Sequence, residues 1–378
     1  MDKTVHTHSR VPVLDLLRLA AVVAVILYHY GFWGPVSATG ISQVALPALA
    51  PVGQYGFLGV SAFFAISGFV IAYSAEGRSW IGFIIARFSR IYPTFVLCMT
   101  LTFTVMLAVG IGHVTRSQWL ANLFIAAPFL GQPYVDTVYW SLVIEVVFYG
   151  WVALFMMLGW FPRHIDALIL VWLAITFANE LTIDAPIFEK VFIADDSGFF
   201  VVGLLIYQHY RGRRGTRFWS LFALAMGTAI FQATHKLERL GAHPDNTFDP
   251  RVVAAICVVA LLGVFLATRI KRIPLPATSV LAAGGMTYPL YLLHMELGYV
   301  IFSATKPHDH AAMAVTMIVA GIAVLAWAIW RFVEPWMHRF VKSKLAQLAA
   351  RFGWSSSGPH SDGFPSCQRP TLDPPVAP

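Results

Sequence analysis

Charged residues are scarce in this chain. Asp, Glu, Lys and Arg make up 12% of the 378 residues, whereas 58% are hydrophobic. This charged share is about half that of an ordinary soluble domain. A soluble fold could not bury so much apolar surface, so the composition excludes one and indicates a protein whose solvent is lipid. Segments that cross lipid must be helices, because their backbone polar groups have no water to bond.

Cysteines are few and long basic tracts are missing. Cys98, Cys257 and Cys367 show no paired spacing, and the first two lie inside apolar runs. This pattern argues against a disulfide framework or a metal site and predicts that these cysteines pack in the interior. The net charge is +7, but Lys and Arg occur in short loops rather than in one patch. We therefore expect no nucleic-acid partner.

Apolar runs predict an all-α membrane protein, a polytopic bundle of about ten transmembrane helices. The first run, Val11 to Phe32, is too long for a signal-peptide core and lacks a small-residue cleavage site, so it is interpreted as a span. The segment Gln118 to Gln132 is too short to cross and is interpreted as re-entrant or interfacial. The ten predicted helices cover residues 11–32, 52–74, 92–112, 138–160, 166–182, 197–210, 218–234, 251–268, 279–303 and 311–333.

The basic residues predict an orientation. Twenty of the 26 Lys and Arg fall on one side of the alternating loops, and the other six are Arg116, Lys190, Lys236, Arg239, Arg251 and Lys306. Basic loops favour the cytoplasmic side, so both termini are predicted to be cytoplasmic. Residues 1–350 form the predicted membrane domain, and the Ser, Gly and Pro content of residues 351–378 predicts a disordered cytoplasmic tail.

The first predicted helix holds three ionisable residues, Asp15, Arg18 and His29. Arg18 and His29 are eleven residues apart, which puts them on one stripe of the helix, roughly 16 Å apart along its axis. Ionisable groups inside a membrane are costly, so each is a candidate functional residue. In the structural alternative, Arg18 reaches the interface, Asp15 neutralises it, and His29 bonds a neighbouring helix.

Small residues mark the second predicted helix, within the run GFLGVSAFFAISGF. They predict close packing against other helices rather than chemistry. These residues are Gly56, Gly59, Ser61, Ser67 and Gly68.

The next segment, FIIARFSRIYP, carries two arginines. Arg87 and Arg90 lie at i and i+3, on one face of a predicted short cytoplasmic helix that Pro93 ends. Guanidinium forks suit phosphate groups. The alternative is contact with lipid head groups.

Two later helices carry further candidates. Ser141 and Glu145 are i and i+4 neighbours in the fourth helix, about two turns from its external end. If this helix adjoins the first, Glu145 can hold the His29 imidazole, and such a pair is a suitable base for a hydroxyl. His294 lies near the middle of the ninth helix, which Pro289 can kink. A structural hydrogen bond is the alternative for His294.

Five segments in this order resemble the signatures of the acyltransferase 3 family of integral membrane O-acyltransferases, and together they span residues 14 to 297. They are LDLLRLAAVVAVILYHY, GVSAFFAISGFVIAY, FIIARFSRIYP, YWSLVIEVVFY and MTYPLYLLHMEL. Leu16 and Ser61 depart from the family pattern, which usually has Gly after the first Asp and often an acidic residue in the second helix.

The resemblance implies a role for each candidate. His29 would act as general base or as a transient acyl carrier, Glu145 would orient it, and Arg18 would lie along the channel near the thioester. Arg87 and Arg90 would hold the phosphates of acyl-CoA. The remaining candidates, for substrate binding, are Trp140, Ser141 and His294.

The resemblance also implies the partners. The acyl group, acetyl in the first place, would pass from cytoplasmic acyl-CoA to a hydroxyl of a carbohydrate or glycoconjugate, in a multi-pass protein surrounded by membrane lipid. No permanently bound cofactor and no metal are expected. The rival function is a secondary transporter or flippase with a buried Arg, His and Glu path, but the inverted repeats typical of that class are not found in the sequence.

The orientation is testable with reporter fusions. Fusions at the carboxyl terminus and after Arg272 should report a cytoplasmic location, because this assignment puts most of the Lys and Arg inside. A fusion after Arg272 that behaves as external would show that the predicted number of spans is wrong.

Overall fold

The computed structural model describes residues 11–34, 46, 48–111, 114–240, 248–270, 272–305 and 310–354, with the backbone alone at 238–240. No β-strand occurs in these ranges, as predicted for an all-α protein. The predicted disordered tail lies outside them from residue 355 onwards. The helices are α1 Pro12–Tyr28, α2 Ala50–Gly53, α3 Leu58–Ala75, α4 Trp80–Val109, α5 Arg116–Asn122, α6 Tyr139–Met157, α7 Ile165–Ala178, α8 Pro186–Val191, α9 Ser197–Tyr210, α10 Thr216–Leu240, α11 Pro250–Ala267, α12 Ala277–Leu293, α13 Glu296–Thr305, α14 Ala311–Ala328 and α15 Glu334–Arg351.

Each of the ten predicted segments is helical, and among the described residues seven helical segments are long and apolar enough to cross a membrane. The other three predicted spans correspond to α9, α10 and the pair α12–α13. α9 has only 14 residues, and α12 ends at Leu293 before α13 begins. The number of crossings therefore stays a prediction. The seven segments are Pro12–Trp33, Ala50–Ala75, Trp80–Val109, Tyr139–Met157, Ile165–Ile183, Pro250–Ala267 and Ala311–Arg351.

Helix α9 forms the centre of one half of the bundle. Of its 14 residues, 13 are buried, and it packs against α3, α7, α10 and α11. At ~1.5 Å rise per residue, such a helix is about 21 Å long, shorter than the hydrocarbon core of a bilayer. Helices of this length are more often buried within the protein, which is what the structure shows.

Close contact between α3 and α9 depends on glycine. A side chain at Gly68 would meet the Cα of Gly203 at 3.0 Å, and one at Gly59 would meet the Val25 side chain of α1 at 2.9 Å. The predicted packing role of the small residues in this helix is confirmed at both glycines. At both glycines the nearest atoms belong to the backbone of the neighbouring helix, so α1 and α9 approach α3 backbone to backbone without space for a methyl group.

Ion pairs and hydrogen bonds join several turns at one end of the bundle, here called the basic end. Arg211 pairs with Glu76 at 3.0 Å, Arg217 pairs with Asp166 at 3.3 Å, and Arg269 donates to His209 across 3.0 Å. These contacts link the turns that follow α3, α6, α9 and α11. The distribution of Lys and Arg predicted that these turns lie on the same side of the membrane, and in the structure they lie together at one end of the bundle.

The predicted helix stop at Pro93 is wrong. α4 continues from Trp80 to Val109 with Pro93 inside it. A proline removes the hydrogen bond to the carbonyl four residues earlier, here Ser89. The Nδ1 of His338 lies 3.1 Å from that carbonyl oxygen and replaces the missing donor. Arg87 and Arg90 therefore lie on a long helix that α15 covers, rather than on a separate short one.

The glycine contact of α3 gives a test. Gly68→Ala should destabilise the protein by about 1–3 kcal/mol, because overpacking forces α3 and α9 apart. Gly150→Ala is the matched control, since a Cβ at this helical glycine meets no atom within 4 Å. Thermal unfolding in detergent should show a lower midpoint for Gly68→Ala alone. Equal midpoints for the two variants would contradict the packing described.

Candidate functional site

A polar cavity of about 440 Å³ opens among α1, α3, α4, α6 and α12. Its wall contains residues from both large apolar clusters of the bundle, such as Phe64 from one and Leu142 from the other. The cavity therefore lies where the two halves of the bundle meet. It begins near the basic end, at Arg78, and extends inward to Ser141.

Four arginines and three carboxylates, those of Asp15, Glu145 and Glu334, line this cavity. Arg78, Arg87 and Arg90 all line it, and within the described part of the chain none of the three forms an ion pair or a side-chain hydrogen bond. The Nε of Arg87 is buried without a partner. Cationic groups left without a counter-ion in an apolar bundle are costly, so their arrangement suits an anion that enters from outside the protein.

Arg18 also lines the cavity, but it has a counter-ion. Its Nη1 lies 3.3 Å from Asp15 Oδ1, one turn earlier on α1. The pairing weighed from the sequence as the structural alternative is therefore present. Arg18 nonetheless faces the cavity rather than the bundle surface, beside the charges of Arg90 and Glu145.

Glu145 is held by two hydroxyl groups. Ser67 on α3 donates to Glu145 Oε1 across 2.5 Å, and the hydroxyl of Tyr149, one turn further along α6, donates to the same oxygen. These two hydrogen bonds hold the Glu145 carboxyl group in place on the cavity wall that the arginines also line.

Tyr291 and Ser141 close the inner end of the cavity. The two hydroxyl oxygens lie 2.7 Å apart, and both residues line the cavity. The Tyr291 ring packs against Phe63 on one side and against His294 on the other, with centroid distances of 5.7 Å and 5.6 Å. Beyond this barrier lies the second polar group of the site.

That group is a pair of histidines. The rings of His29 and His294 lie 5.2 Å apart between centroids. His294 Nδ1 is 2.7 Å from the carbonyl oxygen of Tyr291, and because a carbonyl only accepts, Nδ1 carries the proton and Nε2 has the free lone pair. This Nε2 and the Nδ1 of His29 are buried without a hydrogen-bond partner among the described residues.

Two tyrosines fix the backbone at this pair. Tyr30 donates to the carbonyl of His294 at 2.6 Å, and Tyr299 donates to the carbonyl of His29 at 2.7 Å. His29 begins a π-helical turn, His29–Trp33, a feature frequent at functional sites. The crossed hydrogen bonds hold this turn against the break between α12 and α13.

Asp136, in the loop before α6, supports the same break. Its carboxylate accepts from the backbone N–H of Val138 at 3.1 Å and of Glu296 at 3.0 Å. The side chain is fully buried, and this burial raises the pKa of Asp136 to about 7. The start of α13, two residues after His294, is thereby tied to the loop that leads into α6.

The structure groups the predicted site residues differently from the sequence analysis. The expected contact between Glu145 and His29 is absent, since Glu145 bonds Ser67 and Tyr149 and the ring beside His29 belongs to His294. The reason is that α1 packs mainly against α3 and α12 rather than against α6, so the condition set for this contact, that the two helices adjoin, is not met. Arg18, Arg87, Arg90, Ser141 and Glu145 share the cavity.

Trp140 lies apart from both groups. Its side chain is 41% exposed, and its ring contacts Phe64 edge-on with a centroid distance of 6.4 Å. It does not line the cavity. The residue that follows it, Ser141, points inward, because neighbours on a helix face different directions.

Sequence reasoning missed Ser67, Tyr149, Tyr291 and Arg78. Ser67 was interpreted as a packing residue, and nothing in the sequence indicates its hydrogen bond to Glu145 on another helix. Tyr149 was detectable, since it follows Glu145 at i+4 and such pairs share a helix face. Arg78 was counted only as an orientation signal.

These features define a class: a multi-pass helical membrane protein with a buried, arginine-lined cavity. The chain belongs to the acyltransferase 3 family, whose profile, described as an acyltransferase domain, matches residues 11–331. The match covers more than four-fifths of the chain and confirms the resemblance. The protein is thus a membrane acyltransferase. Searches of curated proteins and of solved structures gave no match.

The arginine cluster predicts anion binding. Arg87→Glu together with Arg90→Glu should weaken the binding of acetyl-CoA at least about tenfold, because each lost charge-assisted hydrogen bond is worth about 1.5–3 kcal/mol. The wild-type affinity should fall as salt is raised. Calorimetry on purified protein measures both effects. Arg272→Glu is the control, since Arg272 is exposed and outside the cavity wall, and an equal loss there would contradict the assignment.

Proposed function

We propose that this protein transfers an acyl group, acetyl in the first place, from acyl-CoA to a hydroxyl of a carbohydrate or glycoconjugate. The observation that carries the proposal is the order of polar groups along one path. Three arginines that form no ion pair with a described residue come first, the Glu145 carboxylate follows, and the two histidines lie behind Tyr291. An anionic donor and a proton acceptor are the two requirements of this chemistry.

The arginines serve the donor. Arg87 and Arg90 bind the phosphates of CoA, and the pantetheine arm extends inward past Arg18 and Glu145. Arg18 and His29 are separated by roughly 16 Å along the helix, a distance of the same order as an extended pantetheine arm. The thioester therefore reaches the inner end of the cavity while the nucleotide stays near the basic end, which we expect to face the cytoplasm.

His29 serves the acceptor. Its buried Nδ1 has no hydrogen-bond partner in the described part of the chain, so a nitrogen is free to take the proton of a bound hydroxyl. The hydroxyl oxygen attacks the thioester carbonyl, the carbon–sulfur bond breaks, and the proton passes to the CoA thiolate. Arg18, beside Arg90 and Glu145, lies too far from His29 to contact the reacting carbonyl and binds the donor along its path instead.

Passage of the thioester to His29 requires a movement. The hydrogen bond between Tyr291 and Ser141 closes the direct path. Binding of the donor must separate these two hydroxyls, so Ser141 and Tyr291 contact the acyl group during transfer. His294, which bonds the Tyr291 carbonyl, positions His29 rather than exchanging protons with the acceptor.

The test is turnover by purified protein in detergent. Acetyl-CoA with a mixture of sugar acceptors should give CoA thiol and acetylated product, and His29→Ala should lower the rate by about 100-fold or more, the scale for loss of a general base. Glu145→Gln should also be severe, and His294→Ala milder. His164→Ala, at an exposed histidine outside the cavity, serves as the control.

The outcomes separate the competing functions. A transporter would release no thiol at any rate. An acylated His29 trapped in the absence of acceptor would identify an acyl carrier instead of a general base. Wild-type turnover by a well-expressed His29→Ala protein would refute the assignment of His29.

A further inference from the structure

Arg78 is a third arginine of the cavity. It lies in the short turn between α3 and α4, and it lines the same cavity as Arg87 and Arg90. Its side chain is half-buried. The nearest carboxylate in sequence, Glu76, pairs with Arg211 at 3.0 Å and does not neutralise it. Arg78 thus forms no ion pair with any described residue, although the cavity wall contains the carboxylates of Asp15, Glu145 and Glu334.

The surroundings of Arg78 favour an anion. Burial lowers the pKa of its guanidinium, because the charged form loses water without gaining a counter-ion. Arg87 lines the same cavity, so two guanidiniums face this space. A phosphate group at this position would remove both penalties.

The three arginines are arranged in order of depth. Arg78 lies at the basic end, just before α4 begins at Trp80. The rise of a helix places Arg87 roughly 10 Å further along the axis and Arg90 about 4.5 Å beyond it. Since Ser141 and Glu145 mark the inner end of the cavity, Arg78 is the guanidinium furthest from the site of transfer.

The phosphates of CoA have the same order. The diphosphate lies between the pantetheine arm and the adenosine, and the ribose 3′-phosphate lies at the far end from the thioester. With Arg87 and Arg90 on the diphosphate and the thioester inside, the 3′-phosphate falls at the mouth of the cavity, where Arg78 lies.

We infer that Arg78 binds the ribose 3′-phosphate of the donor and makes the site select CoA thioesters over thioesters that lack this phosphate. The inference rests on the proposed function. A lipid head-group phosphate at the same mouth is the other source of this chemistry, and the experiment separates the two.

The experiment compares two donors, acetyl-CoA and acetyl-3′-dephospho-CoA. Arg78→Ala should raise the KM for acetyl-CoA by about 10- to 100-fold, the size of one lost charge-assisted hydrogen-bond pair, with kcat nearly unchanged. For acetyl-3′-dephospho-CoA, the KM of Arg78→Ala should stay within about twofold of the KM of the wild-type protein for the same donor. Arg78→Lys should restore part of the loss, since lysine keeps the charge but not the fork.

A matched control guards against a general effect. Arg163→Ala removes an exposed arginine in the turn between α6 and α7, outside the cavity wall, and should leave both KM values unchanged. An equal rise in KM for both donors in Arg78→Ala would place Arg78 elsewhere on the donor and overturn the inference. If Arg78→Ala leaves the KM for both donors unchanged but loses stimulation by anionic lipid, Arg78 binds a lipid head group instead of the donor.

A measurement of nucleotide binding tests the inference independently of catalysis. Wild-type protein should bind adenosine 3′,5′-bisphosphate about 10- to 100-fold more tightly than adenosine 5′-monophosphate, and Arg78→Ala should abolish the difference. If no thioester supports turnover but this preference is present, the proposed function fails while the phosphate site stands. If turnover is normal but the preference is absent, only the role of Arg78 is refuted.

Discussion

A charge inside an apolar bundle persists only when its environment replaces the water it has lost, and the site is organised by this constraint. Ser67 and Tyr149 donate to one oxygen of Glu145. Arg18 pairs with Asp15. The other cavity arginines form no ion pair within the described ranges, and they face the space of the cavity.

The site consists of two polar groups with a barrier between them. The arginine group opens toward the basic end, and the histidine pair lies beyond the hydroxyls of Tyr291 and Ser141. Crossed tyrosine hydrogen bonds fix the histidine backbones, and the Val138 carbonyl accepts from both hydroxyls of the barrier. In the proposed reaction, each substrate binds on its own side of these hydroxyls before they separate.

The sequence predicted the class of fold, because membrane helices are recognisable from the length and composition of their apolar runs. All ten helical segments are present, and the prediction of packing at Gly59 and Gly68 is confirmed. The continuation of α4 through Pro93 was not predictable. The residue that compensates for the proline, His338, lies more than 240 positions away in the sequence. The pairing of Glu145 with His29 was conditional on α6 adjoining α1, and this condition is not met, since α1 packs mainly against α3 and α12. Depth in the membrane can be estimated from one helix, whereas contact between helices depends on how the whole bundle packs.

The bond between His338 and the Ser89 carbonyl has a consequence for the boundary of the domain. The family match ends at residue 331, yet α15, which begins at Glu334, supplies the donor that lets α4 continue through Pro93. Trp80, Ile81, Ile85, Leu345 and Ala349 form an apolar contact between the same two helices. A fragment that ended at residue 331 would leave the Ser89 carbonyl without a hydrogen-bond donor, in the helix that carries Arg87 and Arg90. The smallest unit able to hold those arginines in place is therefore longer than the segment by which relatives are recognised, and it includes α15.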